Sequence, residues 1–184
     1  FPIYKKELNG RDCFNQKDVL YLITPDMFVN GNPENDDIPY LKELPDRESI
    51  WGRHGCDIEG IIQSLDYISE MGFTAIWINP LLENDMKKSS YHGYSTTDYY
   101  KIDPRFGTNS LYKTLCSIAK EKNIKIVMDM ISNHSGSEHW IVKEPPTKDW
   151  IHFEGKYTHN SHAQYYIQEP YASNYDKNAY EDGW

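Results

Sequence analysis

Basic residues, cysteines and long apolar runs are all scarce in this chain, and each shortage closes off a class of function. Lysine and arginine number 19 against 28 aspartates and glutamates, a net charge of −9 over 184 residues. No stretch gathers the counter-charge that a phosphate backbone requires, so no nucleic-acid partner is expected. The three cysteines, Cys13, Cys56 and Cys116, form no CxxC pair, which speaks against a disulfide framework or a structural zinc site. The longest apolar stretches, Val19 to Ile23 and Phe73 to Leu82, fall short of the roughly 20 residues of a membrane helix, and no membrane partner is expected. The chain opens on Phe1-Pro2. No basic segment leads into an apolar run and a small-residue cleavage site, so no signal peptide is read, and the start is expected to be a processed or cut end.

Tyrosine is abundant, at 15 residues, with five tryptophans. Flat aromatic faces can stack on the C–H faces of sugars. On counts alone, ordinary core packing is the simpler reading. An acidic surface suits neutral substrates and metal ions.

The apolar pattern alternates between two periods. Val19-Leu20-Tyr21-Leu22-Ile23, stopped by Thr24-Pro25, reads as a buried strand. A loop dense in turn formers follows, Asn30-Gly31-Asn32-Pro33-Glu34-Asn35-Asp36-Asp37, and runs on to Gly55. Asp57 can cap a helix carrying Ile58, Ile61, Ile62, Leu65, Ile68 and Met71 at helical spacing, with Gly72 in the C-terminal cap position. Phe73 to Ile78 reads as a second strand, ended by Asn79-Pro80. A long loop rich in Tyr and Asp leads to a second helix from about Thr108 to Asn123, with Leu111, Leu115, Ile118 and Ala119 as its stripe. Ile124 to Met128 is the third strand, and Asp129 sits at its end.

Strand, helix, strand, helix, strand implies an α/β fold with parallel strands and right-handed crossovers. The loops after strands are far longer than those after helices, as in a (β/α)8 barrel whose strand-to-helix loops build the active site. A doubly wound open sheet remains the rival. No GxGxxG or GxxxxGK[ST] stretch follows the first strand, which speaks against a nucleotide-binding version. From Ser135 onward the periodicity is lost, as expected of an inserted subdomain or an irregular end.

Two constellations carry chemistry. Asp129-Met130-Ile131-Ser132-Asn133-His134 places a carboxylate, an amide and an imidazole just past a strand. Tyr91-His92-Gly93-Tyr94 offers an aromatic face and an imidazole donor suited to a polyhydroxyl ligand. Asp103 and Arg105 are expected to brace this loop rather than touch a substrate.

Together these segments resemble the α-amylase superfamily of glycoside hydrolases. Asp129, Asn133 and His134 resemble its first signature region, at the end of the third barrel strand. Tyr91-His92-Gly93-Tyr94 and Ile102-Asp103-Pro104-Arg105-Phe106-Gly107-Thr108 resemble the loop after the second strand, and Tyr21 to Phe28 resembles the first. The tail, with Glu169-Pro170-Tyr171-Ala172-Ser173, Asp176 and Asp182-Gly183-Trp184, is similar to domain B of neopullulanases and cyclomaltodextrinases. The resemblance implies a lead-in segment over 1–18, the first three strands of a (β/α)8 TIM barrel over 19–134, and the start of domain B over 135–184.

It further implies that Tyr94 stacks on a glucose ring, that His92 and His134 bond its hydroxyls, and that Asp129 organises the pocket floor. Calcium is implied as a structural cofactor, held by Asn30, Asn32, Asn35, Asp36, the carbonyl of Gly55, and Asp57. All are oxygen donors, as a hard cation requires. The partner implied is a starch-derived α-glucan oligosaccharide, and the parent protein is expected to be periplasmic or secreted.

Retaining glycosidases need two carboxyl groups about 5 Å apart. The resemblance puts these after later strands, the nucleophile in a Gly-x-Arg-x-Asp motif and the acid/base on a Glu. No such motif occurs in the 184 residues, so no catalytic residue is assigned and the chain alone is expected to be inactive. Asp129 is not the nucleophile. Transglycosylases and isomerases of the superfamily, and amylase-like binding modules without activity, remain alternatives. Three strands taken from a closed barrel also leave open edges, so self-association is expected.

Overall fold

A computed structural model describes residues 14–151. The first 13 positions of the lead-in, Cys13, and the tail motifs from Glu169 to Trp184 lie outside the described residues. Three strands, β1 (Leu20–Ile23), β2 (Ala75–Ile78) and β5 (Lys125–Met128), form a parallel sheet in the order β1-β2-β5. Leu20, Ala75 and Lys125 share a level, as do Ile23, Ile78 and Met128. The helices α1 (Ile58–Gln63), α2 (Leu65–Glu70) and α3 (Asn109–Glu121) connect the strands.

The helix ends follow from local chemistry. Asp57 accepts the Gly60 N–H at 2.7 Å and caps α1, and Thr108 accepts the Leu111 N–H at 3.0 Å and caps α3. Both C-terminal ends close as Schellman turns. After α2, Gly72 N–H donates to Ser69 O at 2.9 Å and Phe73 N–H to Ile68 O at 3.3 Å. After α3, Asn123 (φ +58°) and Ile124 repeat the pattern on Lys120 and Ala119. Each turn delivers the chain directly into the next strand. The single helix expected over Ile58 to Met71 is instead two. Ser64 separates them, its hydroxyl bonded back to the Gly60 carbonyl at 2.8 Å.

Ile58, Ile61, Leu65 and Ile68 pack with Leu115 and Ala119 over Ile23, Ile76 and Ile78. All are buried, and each large side chain stabilises the fold by about 1.5–3 kcal/mol relative to exposure. The opposite face of the sheet is open. Alternation along each strand turns Leu20, Leu22 and Trp77 away from the helices, and Leu22 is 59% exposed. Among the described residues no strand pairs with the outer edge of β1 or β5, and no helix is long and apolar enough to cross a membrane.

The loop after β2 is less irregular than its sequence suggests. It holds an antiparallel ribbon of β3 (Leu82–Glu83) and β4 (Asp98–Ile102), with a bulge between Leu82 and Glu83. Beyond β5 a short helix, α4 (Trp140–Lys143), starts at a His139 cap.

Candidate binding site at the strand ends

The long loops leave the C-terminal ends of β1 and β2, and they converge with the end of β5. Asp129, the residue after β5, accepts the Tyr94 hydroxyl at 2.9 Å and the Trp77 indole N–H at 3.3 Å, both on Oδ2. Tyr94 N–H donates to His92 Nδ1 at 2.8 Å. The Tyr94 carbonyl accepts from His134 Nε2 at 2.9 Å. Tyr94 is therefore fixed at its amide, its carbonyl and its hydroxyl. Its ring stays 37% exposed and lies 5.8 Å from the His92 ring at 30°.

Protonation states follow from these partners. A carbonyl can only accept, so His134 carries its proton on Nε2. Its Nδ1 then faces the Asn133 amide at 3.3 Å, and the Tyr99 hydroxyl anchors the His134 carbonyl at 2.5 Å. Both ring nitrogens thus engage protein atoms, and His134 positions Tyr94. On His92, Nδ1 is the acceptor, so the neutral ring holds its proton on Nε2. Burial pushes the His92 pKa down, which favours that neutral donor. Burial, then the bond and charge of Asp129, push the Tyr94 phenol up to about 12, so it remains a donor.

The turn carrying His92 is held from below. Ser89 sits in the left-handed region at φ +55°, a conformation that costs on the order of 1 kcal/mol for a residue with a side chain. Glu43 offsets this by accepting the Ser89 and Ser90 N–H groups at 2.6 and 2.5 Å. Gly93 has φ +81°, and a Cβ there would stand 2.1 Å from the Pro80 carbonyl, so only glycine fits.

A buried ionic layer lies beneath. Arg53 donates to Ser90 Oγ at 3.1 Å, stands 3.4 Å from Asp26 and lies 4.8 Å over the Phe106 ring. Arg105 grips Asp103 at 2.7 and 2.9 Å and donates to the Glu43 and Asn84 carbonyls. Burial works against the Asp103 carboxylate, but the Arg105 bonds and the Arg53 charge outweigh it and lower its pKa. At Asp26 burial prevails over Arg53 and the His54 and Gly55 N–H groups, and the pKa rises.

Of the expected calcium donors, Asn35 is bonded to Asp57 and Asn30 to Asp36, while Asn32 Oδ1 accepts the Glu34 N–H at 3.2 Å. Asp57 accepts from the N–H groups of Gly31 and Asn32 at 3.2 and 2.8 Å and from the Asn35 amide at 3.4 Å. Asp36 accepts from the Asn30 amide at 2.8 and 3.1 Å and pairs with Arg47 at 2.6 Å. It packs against Gly55. The oxygens Asn30 Oδ1 and Asn35 Oδ1 are buried without a partner. Orphaned amide oxygens fit a hard cation. No group of three or more His, Cys, Asp or Glu suited to a metal occurs among the described residues, so this set depends on amide and carbonyl oxygens.

Sequence reasoning missed Trp77, Glu43, Arg53 and Tyr99. Trp77 was the most accessible of these: flanked by Ile76 and Ile78, it must face away from the helices. Glu43 and Arg53 lie in a loop without periodicity, and nothing in the local pattern links them to Ser90.

An α/β sheet whose strand ends bring an aromatic ring, an imidazole and a carboxylate to one rim has the arrangement expected at the mouth of a (β/α)8 barrel. Residues 22–184 match the alpha amylase catalytic domain family. The β/α-amylase of Paenibacillus polymyxa is 40% identical over 161 residues, 83% of this chain and 13% of that protein. The cyclomaltodextrinase of Geobacillus thermopakistaniensis is 36% identical over 144 residues, 73% of this chain and 23% of its own length. The structure of the Geobacillus thermoleovorans α-amylase complexed with acarbose aligns at a TM-score of 0.60 and 39% identity, over 74% of this chain and 28% of that one. The chain belongs to the α-amylase family of glycoside hydrolases, and its sheet is the first part of a (β/α)8 barrel. It spans well under a third of the length of these relatives.

Proposed function

We propose that this chain forms one wall of the sugar-binding mouth of an α-glucan hydrolase acting on starch-derived maltooligosaccharides. The carrying observation is the three-point fixation of Tyr94. A rigid, half-exposed phenol ring gives a sugar a stacking face with little ordering left to do on binding. His92 Nε2–H then donates to a ring hydroxyl, and Asp129 keeps the Tyr94 hydroxyl in plane. The acarbose complex of the G. thermoleovorans relative supports an oligosaccharide as ligand.

Hydrolysis itself is not assigned to these residues. Asp129 is committed to Tyr94 and Trp77, and no second carboxylate joins it in the hydrogen bonding described at the rim. Calorimetric titration with maltotriose tests the binding reading: weak saturable binding is expected, lost in Tyr94→Ala. Equal heats for both proteins would overturn it. Maltooligosaccharide turnover by the purified chain, abolished in Asp129→Asn, would overturn the assignment of inactivity.

The two orphaned oxygens support a structural calcium in the loop after β1, with Asn30, Asn35, Asp36 and Asp57 as the residues that would hold it. Bound there, calcium would tie residues 30–36 to the start of α1 and supply no chemistry to the rim.

A further inference from the structure

We propose that Lys42 is a positioning residue for the rim, the centre of an ionic clasp that joins the loops after β1, β2 and β5 and sets the turn carrying His92; its consequence for sugar affinity rests on the function proposed above. The three hydrogens of the Lys42 ammonium group are all used. Nζ donates to the Asp85 carbonyl at 3.1 Å and to Asp85 Oδ2 at 3.0 Å, in the loop after β2. It also stands 3.0 Å from Glu138 Oε2, in the segment after β5. The Lys42 N–H donates to Asp85 Oδ1 at 2.8 Å, so Asp85 grips the backbone and the side chain of one residue together.

The next residue completes the grip. Glu43 accepts the Ser89 and Ser90 N–H groups. Two adjacent residues of the loop after β1 therefore hold both ends of the segment from Asp85 to Ser90, which leads into His92. Arg105 braces the same two segments from beneath, donating to the Glu43 and Asn84 carbonyls at 3.1 and 3.0 Å. Asp85 is tied on its other side as well: its N–H donates to Thr97 Oγ1 at 3.0 Å, just before β4.

The clasp is ionic throughout. Burial works against the Lys42 charge, but the Asp85 and Glu138 bonds outweigh it and raise its pKa. Lys143 joins Glu138 at 2.9 Å. The Lys143 and Lys42 bonds hold the Glu138 carboxyl down at about 2, so this arm stays charged over the range in which a histidine titrates. An isolated exposed ion pair adds little to stability. Lys42 differs in what its partners carry, since Asp85 and Glu138 belong to different loops and the neighbouring Glu43 holds the His92 turn. The expected effect of losing it is local, a looser Ser89 and Ser90 rather than a lost fold. Tyr94 keeps its own bonds to Asp129 and His134.

Amide hydrogen exchange of the ¹⁵N-labelled chain tests the clasp without a ligand. In Lys42→Met the Ser89 and Ser90 amides are expected to exchange about tenfold faster relative to the Ile76 amide of β2. Lys42→Arg, which keeps the charge and the donors, is expected to restore the protection. Lys122→Met, which breaks the exposed pair with Asp66 between α2 and α3, is expected to leave the ratio unchanged. Unchanged Ser89 and Ser90 exchange in Lys42→Met would overturn the clasp. An equal rise at Ile76 would also overturn it, by reducing Lys42 to a part in general stability. Titration with maltotriose is the second arm, with affinity expected to weaken about threefold in Lys42→Met and to recover in Lys42→Arg. Faster exchange with affinity unchanged would keep the clasp and overturn the sugar bond assigned to His92.

Discussion

The two long loops at the strand ends are built on opposite terms. The loop after β2 rests on an ionic layer, with Asp103 and Arg105 bonded to each other and Glu43 holding both Ser89 and Ser90. The loop after β1 leaves Asn30 Oδ1 and Asn35 Oδ1 buried and unpaired. A buried polar atom without a partner costs on the order of 1–3 kcal/mol. The loop after β2 buries Asn84 Oδ1 and Thr96 Oγ1 without partners as well, but its charged groups are bonded to one another, whereas the two orphaned oxygens of the loop after β1 belong to amides bonded to the Asp36 and Asp57 carboxylates. A wall that must present Tyr94 in fixed geometry belongs on the loop with the bonded ionic layer.

The largest expected effect breaks the ionic layer under the loop after β2. Arg105→Met leaves Asp103 buried without its partner and should destabilise the chain by about 3–5 kcal/mol, read from urea midpoints. A loss below about 1 kcal/mol, the range of exposed pairs, would mean that the ionic layer does not hold the loop. The next effect sharpens the contrast. At free calcium a hundredfold above its Kd, stabilisation of about 2.7 kcal/mol is expected, seen as a raised melting temperature and absent in Asn30→Ala and Asn35→Ala. An equal rise in the variants would place the ion elsewhere. Asp57→Ala removes the α1 cap and the anchor of residues 31 and 32. It should cost about 0.5–2 kcal/mol without calcium, and more with it.

The smallest effect concerns pH. His92 has a folded pKa below its ordinary 6.5. Between those two values the unfolded chain binds the extra proton. Its contribution to stability is therefore complete above 6.5, and it is lost as the pH falls through the folded pKa. Protonation also ends the acceptance of the Tyr94 N–H. Melting curves from pH 7 to 4.5 should show this slope, and His92→Phe should flatten it. An unchanged slope would remove His92 from the account.

The scaffold was legible because local chemistry sets it. Asp57 and Thr108 cap their helices, and Gly72 and Asn123 end theirs in left-handed turns. Apolar period then sorts the helix-facing residues from the rest. The break at Ser64 was missed because a serine hydroxyl returning to the chain leaves the apolar spacing intact. The β3–β4 ribbon was missed because Leu82–Glu83 is too short to show alternation. At the rim, Tyr94, His92, Asp129 and His134 were legible as residue types in motifs. Their mutual bonding was not, since Tyr94 and Asp129 meet across 35 positions. Glu43 reaches Ser90 across 47, and such contacts depend on loop paths that no local pattern encodes. A tendency to self-associate through the open sheet face, where Leu20, Leu22 and Trp77 are exposed, is a proposal. Sedimentation over a concentration series measures that tendency directly.

A crystal structure of the chain grown with maltotriose is the most direct test of the rim. Its expected result is a glucose ring lying flat on Tyr94, with a hydroxyl within hydrogen-bond reach of His92 Nε2 and Tyr94 still bonded to Asp129. A sugar bound well away from Tyr94, or a Tyr94 ring swung off Asp129 to admit it, would contradict a pre-built stacking wall.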